Sequence, residues 1–173
     1  IGYYMSFDCQ EGETIEVQVG ASMVSAANAR LNLETEQPVR DFEATRSAAR
    51  KAWATVLDKV SVEGGTEAQR RTFYTALYHT QIHPNVLQDV NGEYPRMESD
   101  EVLKTSGNRY TVFSLWDTYR NLTQLQTLLF PNLQEQMAQS MIDMYKEWGW
   151  MPKWELYGRE TWTMEGDPSI PII

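Results

Sequence analysis

The period of the apolar positions changes once along this chain. From Thr14 to Val19, Ile15, Val17 and Val19 alternate with Glu16 and Gln18, the period-two pattern of a half-buried strand. Tyr3 to Phe7 reads as a companion strand, and the intervening DCQEGE, with Gly12, as a hairpin loop. A third short extended piece is expected after Gly20. Residues 22–40 carry mixed signals: SAANARLNLETE has the composition of a short helix, but Asn28, Asn32 and the following Pro38 weaken it.

From Asp41 onward the spacing is helical. Asp41 caps DFEATRSAARKAWATVLDKV, in which Phe42, Thr45, Ala49, Ala52, Val56 and Val60 recur at threes and fours and Trp53 and Leu57 widen the stripe. Thr66 and Gln69 stand in capping-box spacing ahead of a second helix carrying Phe73, Leu77, Tyr74 and Tyr78, which Pro84 ends. Residues 84–109 form a long connection, in which Asn91-Gly92 predicts a small hairpin pairing Val86-Leu87 with Tyr94. Ser114 and Asp117 then predict a capping box in its Asp variant. An apolar face of Leu115, Tyr119, Leu122, Leu125 and Leu129 follows. Pro131 opens the last helix, with Leu133, Met137, Met141, Met144 and Trp148 on one face and Gly149 as its stop. The fold class is therefore mainly α. Strand signals confined to the first 25 residues and helical ones after residue 40 fit a boundary between two domains, and successive helices of this kind fit a bundle or an α/α toroid.

Charge narrows the partners. With 15 basic and 24 acidic residues the net charge is −9, which disfavours nucleic acid and anionic membranes. No run reaches the length and apolarity of a membrane span. The one cysteine, Cys9, has no partner within the chain and gives no redox signal. The chain opens in mid-pattern at IGYYMSF and stops in mid-pattern at PSIPII, so a piece of a longer polypeptide is expected.

Aromatic and acidic residues cluster in two places. Trp116-Asp117 follows the long connection, and Trp148, Trp150, Trp154 and Trp162 fall within fifteen positions that also hold Glu155 and Glu160. Asp117 reads equally as a helix cap and as a ligand-binding carboxylate at a rim. A carboxylate among indoles has its pKa raised by desolvation and can serve as a general acid, while the indoles stack on sugar rings. Glycoside hydrolysis needs two carboxyl groups about 5–9.5 Å apart, and spacing alone does not assign Glu155 and Glu160 to that pair. The bland reading pairs either one with Lys153, Arg159 or Arg120. His79 and His83, four apart, read as a packing or loop-anchoring pair before a metal site, for which Asp89 is the nearest further ligand. Arg70 and Arg71 default to surface pairing, and the Met137, Met141 and Met144 stripe to core. No phosphate loop, serine elbow or zinc signature occurs.

RRTFYTALYHT followed by HPNVLQDVNGEY, then YTVFSLWDTYR, then GWMPKWELYGRETWTMEGDPSIP, together resemble glycoside hydrolase family 92, the calcium-dependent exo-acting α-mannosidases. The resemblance covers roughly residues 3–173. It implies that residues 1–25 end an N-terminal β-sandwich, 26–64 are linker helices, and 65–173 begin an (α/α)6 toroid catalytic domain. It also implies inverting, calcium-assisted release of terminal α-linked mannose, with α-1,2 the expected linkage, from a mannose-containing glycan. Trp116 and Asp117 inherit the terminal-mannose subsite, and Glu155 and Glu160 become pocket candidates. The catalytic acid, the base and most Ca2+ ligands are then expected in the remainder of the parent polypeptide, leaving the isolated chain inactive. Export to the periplasm or beyond is implied as well. The chain departs from the family pattern at Asn121-Leu122-Thr123-Gln124, where His-Pro is usual, and at Glu165-Gly166-Asp167-Pro168; both bear on linkage more than on class. The competing expectation is a non-catalytic carbohydrate-binding or structural helical module.

Overall fold

The computed structural model describes residues 4–173. Between residues 4 and 25 it contains no strand, which corrects the reading of 14–19, and of the described part of 3–7, as paired strands; Tyr3 lies outside the described residues. The hairpin loop does turn, with the Glu13 N–H donating to the Gln10 carbonyl at 3.1 Å and Gly12 at φ +85°. Among the described residues the flanking segments nevertheless find no ladder partner. Ile15, Val17 and Val19 are 40, 57 and 76% exposed, so the period-two pattern has no sheet to bury it among the described residues.

Helix α1 (Ala26–Glu36) resolves the mixed signal of residues 22–40. Ser25 caps it by accepting from the Asn28 N–H. Asn28 and Asn32 are buried because both donate to Asp89: Asn28 Nδ2 at 2.7 Å to Oδ2, and Asn32 Nδ2 at 2.6 Å to Oδ1. Ser22 adds a third donor at 2.7 Å. The polar residues that argue against a helix are the ones that dock it.

Helices α2 (Phe42–Leu57) and α3 (Glu67–His79) form as the caps predict. Asp41 accepts from the Ala44 N–H, and Thr66 with Gln69 closes a full capping box. The two helices meet through Trp53 and Tyr78, ring centroids 4.5 Å apart, and through the Tyr74 hydroxyl on the Val60 carbonyl.

The long connection is ordered by short antiparallel pairs rather than by the expected hairpin. Strand β1 (Asn85–Val86) pairs with β4 (Tyr110–Thr111), and β2 (Glu93–Pro95) with β3 (Val102–Lys104). Asn91-Gly92 does turn, but Tyr94 faces Leu103 and not Val86-Leu87. A Cβ at Gly92 would lie 2.4 Å from the Thr105 carbonyl oxygen, and φ there is +84°, so glycine is required.

Strand β5 (Phe113–Ser114) leads into α4 (Leu115–Thr118). The expected continuous helix breaks after one turn. Asn121 takes φ +74° and ψ −52°, and the Leu122 N–H donates to the Arg120 carbonyl, a strained γ-turn that asparagine tolerates. Helix α5 (Leu122–Leu129) then buries Thr123 and Gln126 and leaves Leu125 and Leu128 exposed, so the predicted leucine face is rotated. Helix α6 (Pro131–Trp148) packs on α5 and ends at Gly149 in the left-handed region. Its Met137, Met141 and Met144 form the core with Met97, Tyr110, Phe113 and Leu115. Strands β6 (Trp154–Leu156) and β7 (Arg159–Glu160) complete a three-stranded sheet on β5.

One buried ion pair closes this core. Glu147 accepts from Arg109 at 3.0 Å, from the Tyr94 hydroxyl and from the Met97 N–H. Burial, followed by the Glu147 charge, pushes the Tyr94 hydroxyl up to about 12.

Candidate functional site

The chain reaches Trp116 and Asp117 through two anchors. Phe113 and Ser114 pair with Glu155 and Trp154 in the β5–β6 ladder, and the Leu115 N–H donates to the Lys153 carbonyl at 3.1 Å. Trp116 is 47% exposed and Asp117 is exposed beside it. The expected capping box does not form, because no backbone N–H of α4 reaches the Ser114 side chain. The Ser114 hydroxyl donates instead to Asp117 Oδ2. That contact leaves Oδ1 without a protein donor among the described residues. An exposed indole beside an exposed carboxylate offers a flat apolar face and a hydrogen-bond acceptor side by side, a chemistry that can suit a polyol.

Glu155 and Glu160 are directly opposed in the β6–β7 pair. The pair is joined by Tyr157-Gly158 at φ +50° and +83°, a type I′ geometry. Glu155 is fully buried. It accepts from the Thr111 hydroxyl at 2.7 Å, the Val112 N–H at 3.0 Å and the Gly158 N–H at 2.5 Å. Burial raises its pKa against the lowering effect of those donors. Glu160 accepts from the backbone N–H groups of Lys153, Trp154 and Trp162. In this conformation both carboxylates are committed to the protein. Neither pairs with Lys153, Arg159 or Arg120.

Behind the Trp116-Asp117 turn lies an open cavity of about 400 Å³, between the end of α3, β5, α4, α5 and α6. Ser114 and Thr118 line it, whereas Trp116 and Asp117 do not. His79 and His83 both face this cavity, but no group of three or more His, Cys, Asp or Glu among the described residues is placed to hold a metal. Asp89, the third ligand considered for them, is occupied by Ser22, Asn28 and Asn32. Sequence reasoning missed Lys153, whose backbone joins the two patches; a main-chain role leaves no side-chain signal to find.

The model of the glycosyl hydrolase family 92 catalytic domain matches residues 28–173. The chain belongs to that family. A curated relative, an uncharacterized secreted glycosidase of Arthroderma benhamiae, is 33% identical over 126 residues, 69% of this chain and 15% of its own length. Among solved structures, a family GH92 α-mannosidase of Bacteroides thetaiotaomicron superposes with a TM-score of 0.82 at 33% identity, covering 87% of this chain and 20% of its own. An inverting mannosidase of the same family and organism gives 0.80 at 34%, covering 87% and 21%. The chain thus spans about a fifth of the family 92 mannosidases it matches. No helix among the described residues is long and apolar enough to cross a membrane.

Proposed function

We propose that this chain is the part of a family 92 glycosidase that holds a terminal α-linked mannose. Trp116 would stack on the sugar and Asp117 would accept from its hydroxyls. The observation that carries the reading is the exposed Trp116-Asp117 pair, its carboxylate bonded to Ser114, on a chain that the family model matches from residue 28 to its end. Helices α3, α5 and α6, which fall within residues 65–173, are read as the first of the toroid, with the domain limits expected from the sequence.

Hydrolysis would follow the inverting course named for one of the matched mannosidases. The catalytic acid and base are assigned to the remainder of the parent polypeptide, since Glu155 is sealed from solvent and Glu160 is saturated by backbone donors. The described residues fit a calcium site poorly: Ca2+ takes six to eight oxygen ligands, no group of three or more His, Cys, Asp or Glu is gathered among them, and the buried Glu155 and Glu160 already accept hydrogen bonds from the protein. The implied Ca2+ would therefore be held mainly outside this chain. An α-1,2 linkage and a secreted or periplasmic location complete the reading, the latter supported by the name of the fungal relative. The test is turnover of an α-1,2-linked mannobiose by the full-length protein before and after chelation. Mannose release that EDTA abolishes supports it; sugar binding without turnover would favour a carbohydrate-binding module.

A further inference from the structure

We infer that Glu160 is the positioning residue of the sugar-holding pair, a role that rests on reading Trp116 and Asp117 as the mannose subsite. Helix α4 has only four residues and is followed by the γ-turn at Asn121, so it cannot fix its own direction. Its first N–H, that of Leu115, is held by the Lys153 carbonyl at 3.1 Å. That carbonyl belongs to the planar Lys153–Trp154 peptide unit, whose other polar group, the Trp154 N–H, donates to Glu160 Oε1 at 3.1 Å and Oε2 at 3.3 Å. The preceding N–H, that of Lys153, donates to Oε2 at 2.8 Å, and that of Trp162 to Oε1 at 3.2 Å.

One buried carboxylate therefore sets the tilt of the peptide plane from which the Trp116-Asp117 turn hangs. The arrangement demands a carboxylate rather than an amide. Each oxygen accepts two N–H groups, so a glutamine in either orientation points its NH2 at two donors. Glu160 touches no sugar in this account; it acts through Asp117.

The experiment is a double-mutant cycle of Glu160→Gln with Asp117→Asn in the full-length enzyme. The readout is kcat/KM on α-mannosyl fluoride, an activated substrate on which weakened variants still turn over. Glu160→Gln alone should lower kcat/KM by about 100-fold, the size of a small misplacement of a binding group. In the Asp117→Asn background the same change should cost almost nothing. Tyr94→Phe, which takes a hydroxyl from the remote Glu147, should lower Tm without lowering kcat/KM. If Glu160→Gln does not fold, Glu160→Asp carries the same cycle with a smaller loss. Additive effects of the two substitutions, or an unchanged Glu160 variant beside an active wild type, overturn the positioning role alone. A wild type that hydrolyses no α-mannoside contradicts the glycosidase reading and removes this role with it.

Discussion

Glu155 and Glu160 stand opposite one another across β6 and β7, yet their carboxylates serve different ends of the hairpin. Glu155 gathers Thr111, Val112 and Gly158, whereas Glu160 gathers Lys153, Trp154 and Trp162. Like charges in directly opposed cross-strand positions repel, and here each is drawn off by its own donors. Together they hold β5 and the turn that carries Asp117.

Glu155 imposes a pH dependence. Burial raises its folded-state pKa above 4.5, so the native state holds its proton over a window in which the unfolded chain has lost it. Stability therefore falls as pH rises from about 4.5 through the raised value, and the neutral form is favoured below that window. Glu155→Gln should flatten this slope. Thermal melts of both forms across the window check it, and parallel curves would assign the slope elsewhere.

Removing Glu147 should destabilise strongly. Glu147→Ala leaves Arg109, 3% exposed, without its carboxylate and strips the Tyr94 hydroxyl and Met97 N–H of their acceptor. The expected cost is about 3–5 kcal/mol, that of breaking a buried ion pair from one side. Urea unfolding measures it, and a loss below about 1 kcal/mol would mean the pair is solvated in solution.

The Asp89 latch is a local rather than a global device. Asp89→Ala removes the acceptor that the Asn28 and Asn32 amides share, leaving Asn28 only Glu93 and Asn32 only the Ala21 carbonyl, at about 1 kcal/mol for each hydrogen bond lost. Helix α1 should open first. Hydrogen exchange should speed up over Ala26–Glu36 while α6 keeps its protection; uniform acceleration along the chain would contradict a local latch.

What the sequence made legible follows from how local each signal is. The caps at Asp41 and Thr66, the Pro131 start, the Gly149 stop and the methionine core depend on near neighbours and stand as read. The lack of a strand at 14–19 was illegible because pairing is a property of a partner, and period-two alternation says nothing about whether one is there. The break at Asn121 hid behind an unbroken leucine spacing, although Asn is a residue that tolerates positive φ. The motif YTVFSLWDTYR placed Trp116 and Asp117 at a helix start on a rim; the structure has them exposed on the one-turn helix α4, without the capping box. It could not show that Glu155 and Glu160 spend their oxygens on backbone N–H groups, which carry no side-chain identity.

The central claim is that Asp117 holds the terminal sugar. The decisive measurement is kcat/KM of the full-length protein on an α-1,2-linked mannobiose, for the wild type and for Asp117→Ala. Loss of charged hydrogen bonds worth about 1.5–3 kcal/mol each should lower it by roughly 100-fold or more, with Tm little changed because Asp117 is exposed. An Asp117→Ala enzyme as active as the wild type would contradict the account.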